Sequence, residues 1–342
     1  MTPDKAALLS RPVAQLDLKD HDVRSLVDAM GGMSFQARNL HRAATIYDEM
    51  LRDPDCAVIL CLAGSLFSAG LRQVVIDLVR HQMVDAIVST GALIVDQDFF
   101  EALGFRHWHG TPLADDATLR ELGVDRIYDT YIDEDDLKRC DLTVREIADA
   151  LPPGAYSSRE FIAEMGRWLV RSGLPGDSVI RAALEEEVPV FCPAFADSSA
   201  GFGLVVHQYD RGASPVVAID GAKDFLELTR LKMAVNDTGL FIVGGGVPKN
   251  FAQDVVVATE MVGRPTPMHK YDIQLTVADE RDGGLSGSTL REAGSWGKVA
   301  ASHEQMVFGE ATVTMPLVAG YAWHRRGWDG RRPRRLASVC GR

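Results

Sequence analysis

Leu240-Phe241-Ile242-Val243-Gly244-Gly245-Gly246-Val247-Pro248-Lys249 is the stretch on which the fold turns. Four consecutive apolar residues suit a strand buried on both faces. The glycines then free the backbone for a tight turn or for close approach to a bound group. From Lys249 to Val262 the apolar side chains recur with helical spacing. Strand, glycine turn and helix in this order set the unpaired N–H groups of a helix start at the carboxyl end of a strand. A structural turn alone also explains the triplet, and its position between strand and helix favours a cofactor cradle. The pattern is not GxGxxG, which separates the chain from ordinary nicotinamide dehydrogenases.

The same grammar repeats outward. Ala57-Val58-Ile59-Leu60-Cys61-Leu62 ends in Ala63-Gly64-Ser65, and Ser68 to His81 reads as a helix. Ala86-Ile87-Val88 ends in Ser89-Thr90-Gly91-Ala92. Val188 to Phe191 precedes Asp197-Ser198-Ser199, Val216 to Ile219 precedes Asp220, and Ile273 to Val277 precedes Ala278-Asp279. Apolar strands alternating with helices predict an α/β fold, a Rossmann-like, doubly wound, mostly parallel sheet with helices on both faces. Ligands of such sheets bind beyond the carboxyl ends of the strands, where Gly, Ser, Thr and Asp recur here. Further helices are expected at Asp22–Met30 and Ser34–Leu51, and Asp133-Glu134-Asp135-Asp136 reads as a solvated helix start.

With 46% apolar and 25% charged residues, the 342-residue chain has the composition of a globular protein. It lacks a run of 18 apolar residues, so no membrane partner is expected. Met1 to Lys5 shows no basic start leading into an apolar core, so no secretory signal is expected. Five cysteines without a CxxC pair read as reduced thiols and point to the cytoplasm. A net charge of −12 argues against nucleic acid and suits a cationic substrate. Residues 1–32 read as an N-terminal extension and 33–319 as one cofactor-binding catalytic domain. Residues 320–342 read as a flexible basic tail, with seven arginines against Asp329 alone. No metal is expected: His107 and His109, in an expected loop, have no ligand partners at zinc spacing. No GxSxG elbow supports a hydrolase.

Ser295-Trp296-Gly297-Lys298 carries the chemistry. A lysine beside tryptophan can be desolvated, and its neutral amine can attack an imine carbon. The polar loop Ala278 to Gly287 can set Asp282 against a ribose or an amine.

Phe35-Gln36-Ala37 with Asn39 and Arg42-Ala43, Ser68-Ala69-Gly70-Leu71-Arg72, His81 to Asp85, Val188 to Phe191 with Pro193-Ala194, Asp197 with Ser199 and Gly201, Gly244 to Lys249, and Glu292-Ala293 with Ser295 to Lys298 together resemble the deoxyhypusine synthase family. The resemblance spans about Ser34 to Ala319. It implies a homotetramer with NAD as cofactor, active sites at subunit interfaces, and a polyamine donor. The aminobutyl group is then carried as an imine on Lys298. The acceptor is either a protein lysine, giving deoxyhypusine, or a small diamine such as putrescine, giving homospermidine. The resemblance assigns NAD to Ser65, Ser68, Thr90, Gly91, Asp197, Gly245, Ala278, Asp282, Glu310 and Ala311. It assigns the amine substrate to Asp96, Gln97, Ser199, Asn250, Gly283, Ser286, Glu292 and Trp296.

Four departures stand out. Asn250 replaces the family's usual histidine, and Phe202 and Leu285 replace usual acids. Asp96-Gln97-Asp98 spreads the usual paired acids across a one-residue insertion. These imply an altered donor or acceptor, since apolar surface gives a buried ammonium no compensation. An NAD-dependent amine oxidoreductase and a catalytically silent NAD- or polyamine-binding paralogue stay open as alternatives.

Overall fold

The computed structural model describes residues 4–341; Met1–Pro3 and Arg342, parts of the expected extension and tail, lie outside the described residues. Eleven strands occur among the described residues, in chain order: β1 Cys56–Leu62, β2 Ala86–Ser89, β3 Trp108–His109, β4 Val124–Ile127, β5 Thr130–Asp133, β6 Gly154–Tyr156, β7 Val190–Phe191, β8 Val217–Ile219, β9 Asp237–Val243, β10 Tyr271–Thr276 and β11 Glu304–Phe308. Six form one parallel sheet in the order β11-β10-β9-β1-β2-β7. The chain runs outward from β1 through β2 to β7, then returns to β9 on the other side of β1. The topological switch therefore lies between β1 and β9, and a crevice opens beyond their carboxyl ends.

Both faces of the sheet are covered. On β1, Val58, Leu60 and Leu62 join one core with helices Phe35–Arg52 and Arg72–Arg80. Ala57, Ile59 and Cys61 join the other, with helices Gly221–Ala234 and Gly246–Met261. This period of two inside an unbroken apolar run is the mark of a strand buried on both faces.

Several expectations need correction. Val216–Ile219 does not enter the central sheet: β8 pairs in parallel with β6 in a separate two-stranded ribbon. β11 was not anticipated; it begins Glu304-Gln305, half-buried polar residues that interrupt the apolar signal at the sheet edge. Trp108–His109 is not loop but the edge strand of a small antiparallel sheet, β3-β5-β4. The helix expected over Ser68–His81 begins as a π-turn, Phe67–Leu71, broken at Gly70 (φ 100°). A Cβ at Gly70 would stand 2.6 Å from Ala14 O, because the N-terminal segment crosses there. That segment is integral rather than appended: Gln15 Oε1 accepts from Arg72 N at 2.9 Å, and Leu18 and Val27 are buried.

The arginine-rich end is likewise docked, not free. The Arg331 guanidinium is nearly buried and pairs with the buried Asp85 carboxylate at 2.6 Å. It also donates to Gln82 O (2.8 Å), Met50 O (3.2 Å) and Leu51 O (3.3 Å). Leu336 and Cys340 pack with Leu228 and Leu231. Carbonyls in the last turn of helix Phe35–Arg52 and just after helix Arg72–Arg80 attract a forked donor, and this outweighs the tail's preference for water. All five cysteines are buried and free. No helix among the described residues is long and apolar enough to cross a membrane.

Candidate active site at the carboxyl ends of the sheet

A cleft of about 400 Å³ opens at the switch point, beyond β1, β9, β10 and β11. Ser65, Gly245, Ala278, Ser286, Glu310 and Ala311, all expected site residues, line it. Gly244 takes φ +81°, and a Cβ there would come within 2.9 Å of Ala63 O. A Cβ at Gly245 would stand 2.6 Å from Ser286 Cα. The triplet thus lets helix Gly246–Met261 start hard against the Ser286 loop, and no side chain caps that helix start. Glu310 caps helix Ala311–Arg325 by accepting from Thr312 N at 2.9 Å. Ser65, Ser68 and Glu310 also border an adjoining cavity of about 470 Å³ beside Tyr128 and His109. The Ser68 hydroxyl donates to Ser65 O at 2.8 Å.

Beyond β2, the buried Thr90 hydroxyl has no partner among the described residues. Gly91 is packed so closely that a Cβ would strike the Ser198 side chain at 2.5 Å. Asp96 accepts from Ser199 N at 2.7 Å, and burial pushes its carboxyl up to about 6. Asp141, which sequence reasoning did not single out, lies alongside; burial raises it too, and its buried Oδ1 has no partner. Neither acid forms an ion pair among the described residues, and Asp197 next to them is exposed. Gln97 is not presented to a substrate. Its Oε1 accepts from Phe67 N and Ser68 N, both at 3.0 Å, and so braces the turn after β1. Asp98 is equally occupied, accepting from Val179 N and Ile180 N at 2.8 and 2.9 Å.

Lys298 follows the short helix Leu290–Ser295. Its Nζ lies 2.5 Å from Asp254 Oδ1, 3.4 Å from Asn250 Oδ1 and 5.4 Å from the Trp296 ring centroid. Its side chain is 12% exposed, against 66% exposure for Trp296. Asn250 and Asp254 stand one turn apart on helix Gly246–Met261, so the glycine cradle and the two partners of Lys298 share one rigid element. Lys249, the residue before Asn250, is fully buried. It donates to Gln274 Oε1 (3.0 Å), Leu285 O (3.2 Å), Ser288 Oγ (3.1 Å) and Ser288 O. Burial pulls its ammonium down to about 8. This lysine staples the loop carrying Asp282, Gly283 and Ser286 onto the helix. Asp282 itself accepts from Gly284 N at 2.7 Å, and with Gly283 and Glu292 it is exposed.

The deoxyhypusine synthase family model matches residues 25–322. This chain belongs to the deoxyhypusine synthase family. It is 60% identical over 336 residues to a deoxyhypusine synthase-like protein of Chlorobaculum parvum, covering 98% of this chain and 96% of that one. A deoxyhypusine synthase-like protein of Caulobacter vibrioides is 52% identical over 341 residues, 99% and 93% of the two chains. Among solved structures, one assigned as a deoxyhypusine synthase from Entamoeba histolytica superposes with a TM-score of 0.60 at 18% identity, covering 91% of this chain and 97% of that one, and shares the fold.

Within this deoxyhypusine synthase family member, the departures acquire places. Phe202 is 66% exposed and forms a stripe with Val205 and Tyr209 along helix Ser199–Arg211. Leu285 is 45% exposed, and its contribution to the site is its carbonyl, held by Lys249. Asn250 keeps contact with the Lys298 amine, and Asp254 brings the carboxylate that sequence reasoning missed. The available signal was the four-residue spacing of Asn250 and Asp254, which puts them on one helix face. No cluster of three or more ligating side chains suited to a metal occurs among the described residues.

Proposed function

We propose that this protein is an NAD-dependent aminoalkyl transferase. It takes an aminobutyl group from a polyamine, holds it as an imine on Lys298 and passes it to an acceptor amine. One observation carries the reading: the shielded Lys298 amine, beside Trp296, packs against Asn250 and Asp254 on the helix that starts at the glycine-lined cleft. Family membership supports transferase chemistry.

The cleft suits a dinucleotide. An uncapped helix start favours phosphate, close glycines admit it, and the orphaned Thr90 hydroxyl offers a further hydrogen bond. Ser65, Gly245, Ala278, Glu310 and Ala311 would hold it, with Ser68, Thr90, Gly91, Asp197 and Asp282 around them. When bound, NAD takes up the hydride removed from the amine carbon and later returns it. The chain's own work is to bind and orient. Trp296 offers a flat apolar face to the methylenes of the donor. Asp96 and Asp141, without protein cations, suit an ammonium. Shielding of Lys298 protects an imine from water.

Copies of the chain would complete the site by assembly as a homotetramer, which would cover Trp296, Glu292 and the Phe202-Val205-Tyr209 stripe. The acceptor is a small diamine or a protein lysine. Mass spectrometry of amines after incubation with NAD, spermidine and putrescine tests the reading, with Lys298→Ala alongside. Formation of 1,3-diaminopropane and homospermidine by the wild type alone is the expected result and selects the small acceptor. Diaminopropane formed only when a protein acceptor is added selects the lysine. Stoichiometric free NADH would convert the reading to a plain amine oxidoreductase, and absence of any turnover would favour a binding protein.

A further inference from the structure

We propose that Asp254 is the proton acceptor and donor of Lys298 during imine exchange. The proposal rests on the transferase reading and adds to it a catalytic residue. Three features single out Asp254. Its Oδ1 is 2.5 Å from Lys298 Nζ. Its Oδ2 accepts from Asn250 Nδ2 at 2.7 Å, which fixes the oxygen that faces the amine. Its side chain is 32% exposed against 12% for Lys298, so the carboxyl can exchange protons with arriving or departing groups while the amine stays shielded. Asn250 cannot supply this function, because an amide does not take up a proton at neutral pH.

An ammonium has no lone pair, so one Nζ proton first passes to Asp254. The freed Nζ pair forms a bond to the carbon of a protonated substrate imine, and the C=N π pair moves onto the substrate nitrogen. The Asp254 carboxyl relays a proton from Nζ to that nitrogen. The substrate nitrogen then leaves with the C–N electron pair, while the Nζ pair closes the new C=N. The proton first taken from Lys298 departs on the released amine as its ammonium. A cationic imine on Lys298 is left facing an Asp254 carboxylate, so the ion pair seen at rest is restored.

The test needs no cofactor. Full-length protein is treated at pH 7 with butanal and cyanoborohydride, and alkylation at Lys298 is followed by peptide mass spectrometry. Asp254→Asn and Asp254→Ser are each expected to slow labelling at Lys298 at least tenfold, with Asp254→Glu recovering part of the rate. Unchanged melting temperatures and equal labelling of surface lysines guard against misfolding; if one variant fails to fold, the other decides. Labelling as fast as wild type, or faster, in the variants overturns the proposal, because the carboxylate would then only hold the amine as an ammonium. Failure of wild-type Lys298 to label overturns it as well. The transferase reading fails separately, if Lys298→Ala still transfers aminobutyl groups; an inactive Lys298→Ala beside fast labelling in the Asp254 variants sinks this proposal alone.

Discussion

Two buried lysines set the behaviour of this molecule at the scale of single residues. Lys249 holds the Leu285–Ser288 turn, and Lys249→Met takes the donor from Ser288 O and leaves Leu285 O with the Ser288 hydroxyl alone. Amide hydrogen exchange across residues 283–288 is expected to speed up at least tenfold, and nucleotide binding to weaken, while exchange in β1 stays unchanged. Lys232 is fully buried, donates to Thr238 Oγ1 at 2.6 Å and has no carboxylate partner among the described residues. Burial lowers both lysines to about 8. An unfolded lysine titrates near ~10.4. Between those values the unfolded chain binds more protons, so these groups make stability rise with pH; below about 8 the burial cost is fully present. Urea midpoints at pH 8 and 9.5 should show a smaller gain for Lys232→Met than for wild type. Neither lysine announced itself in sequence, because burial of a cation is decided by the elements that close over it. Lys298 was legible only through its tryptophan neighbour and the family pattern.

At the scale of elements, continuous apolar runs made β1, β2 and β9 legible, since a strand covered on both faces needs nothing else, and β10 was legible from apolar residues at every second position. β11 carries polar residues on a sheet edge, and β8 has an apolar run that pairs elsewhere; local pattern cannot report a partner. The segment after Arg325 misled for another reason. Charge suggested solvation, but a guanidinium surrounded by helix-end carbonyls and Asp85 is better satisfied inside. Arg331→Ala would leave the Asp85 carboxylate buried with only Arg334, 3.8 Å away, as a cation. The expected cost is about 3 kcal/mol in urea unfolding, with labelling of Lys298 at native conditions unaffected.

At the scale of the whole molecule, the site reads as one half of something. The cleft and the Lys298 cluster share a helix, whereas Trp296, Glu292 and Asp282 face outward. Strand-end residues were legible because the fold class fixes where ligands go; their grouping was not, because it depends on the order of the strands. Gln97 shows the limit plainly: a position matched by family pattern is consumed by the backbone of a neighbouring turn. The exposed Phe202-Val205-Tyr209 stripe is expected to be covered by a second copy. Phe202→Asp with Tyr209→Asp should reduce the mass measured by light scattering after gel filtration, and an unchanged mass would place the contact elsewhere.

The five buried thiols turn the protein into its own stopwatch. Burial raises them all above the ordinary cysteine range, so none reacts with an alkylating reagent until the structure around it opens. Cys340 sits in the docked arginine-rich segment, and Cys61 in the central strand. If that segment lifts off as a unit, Cys340 is alkylated well ahead of Cys61, and the ratio of the two rates gives the population of molecules unlatched at that end while the sheet is still intact.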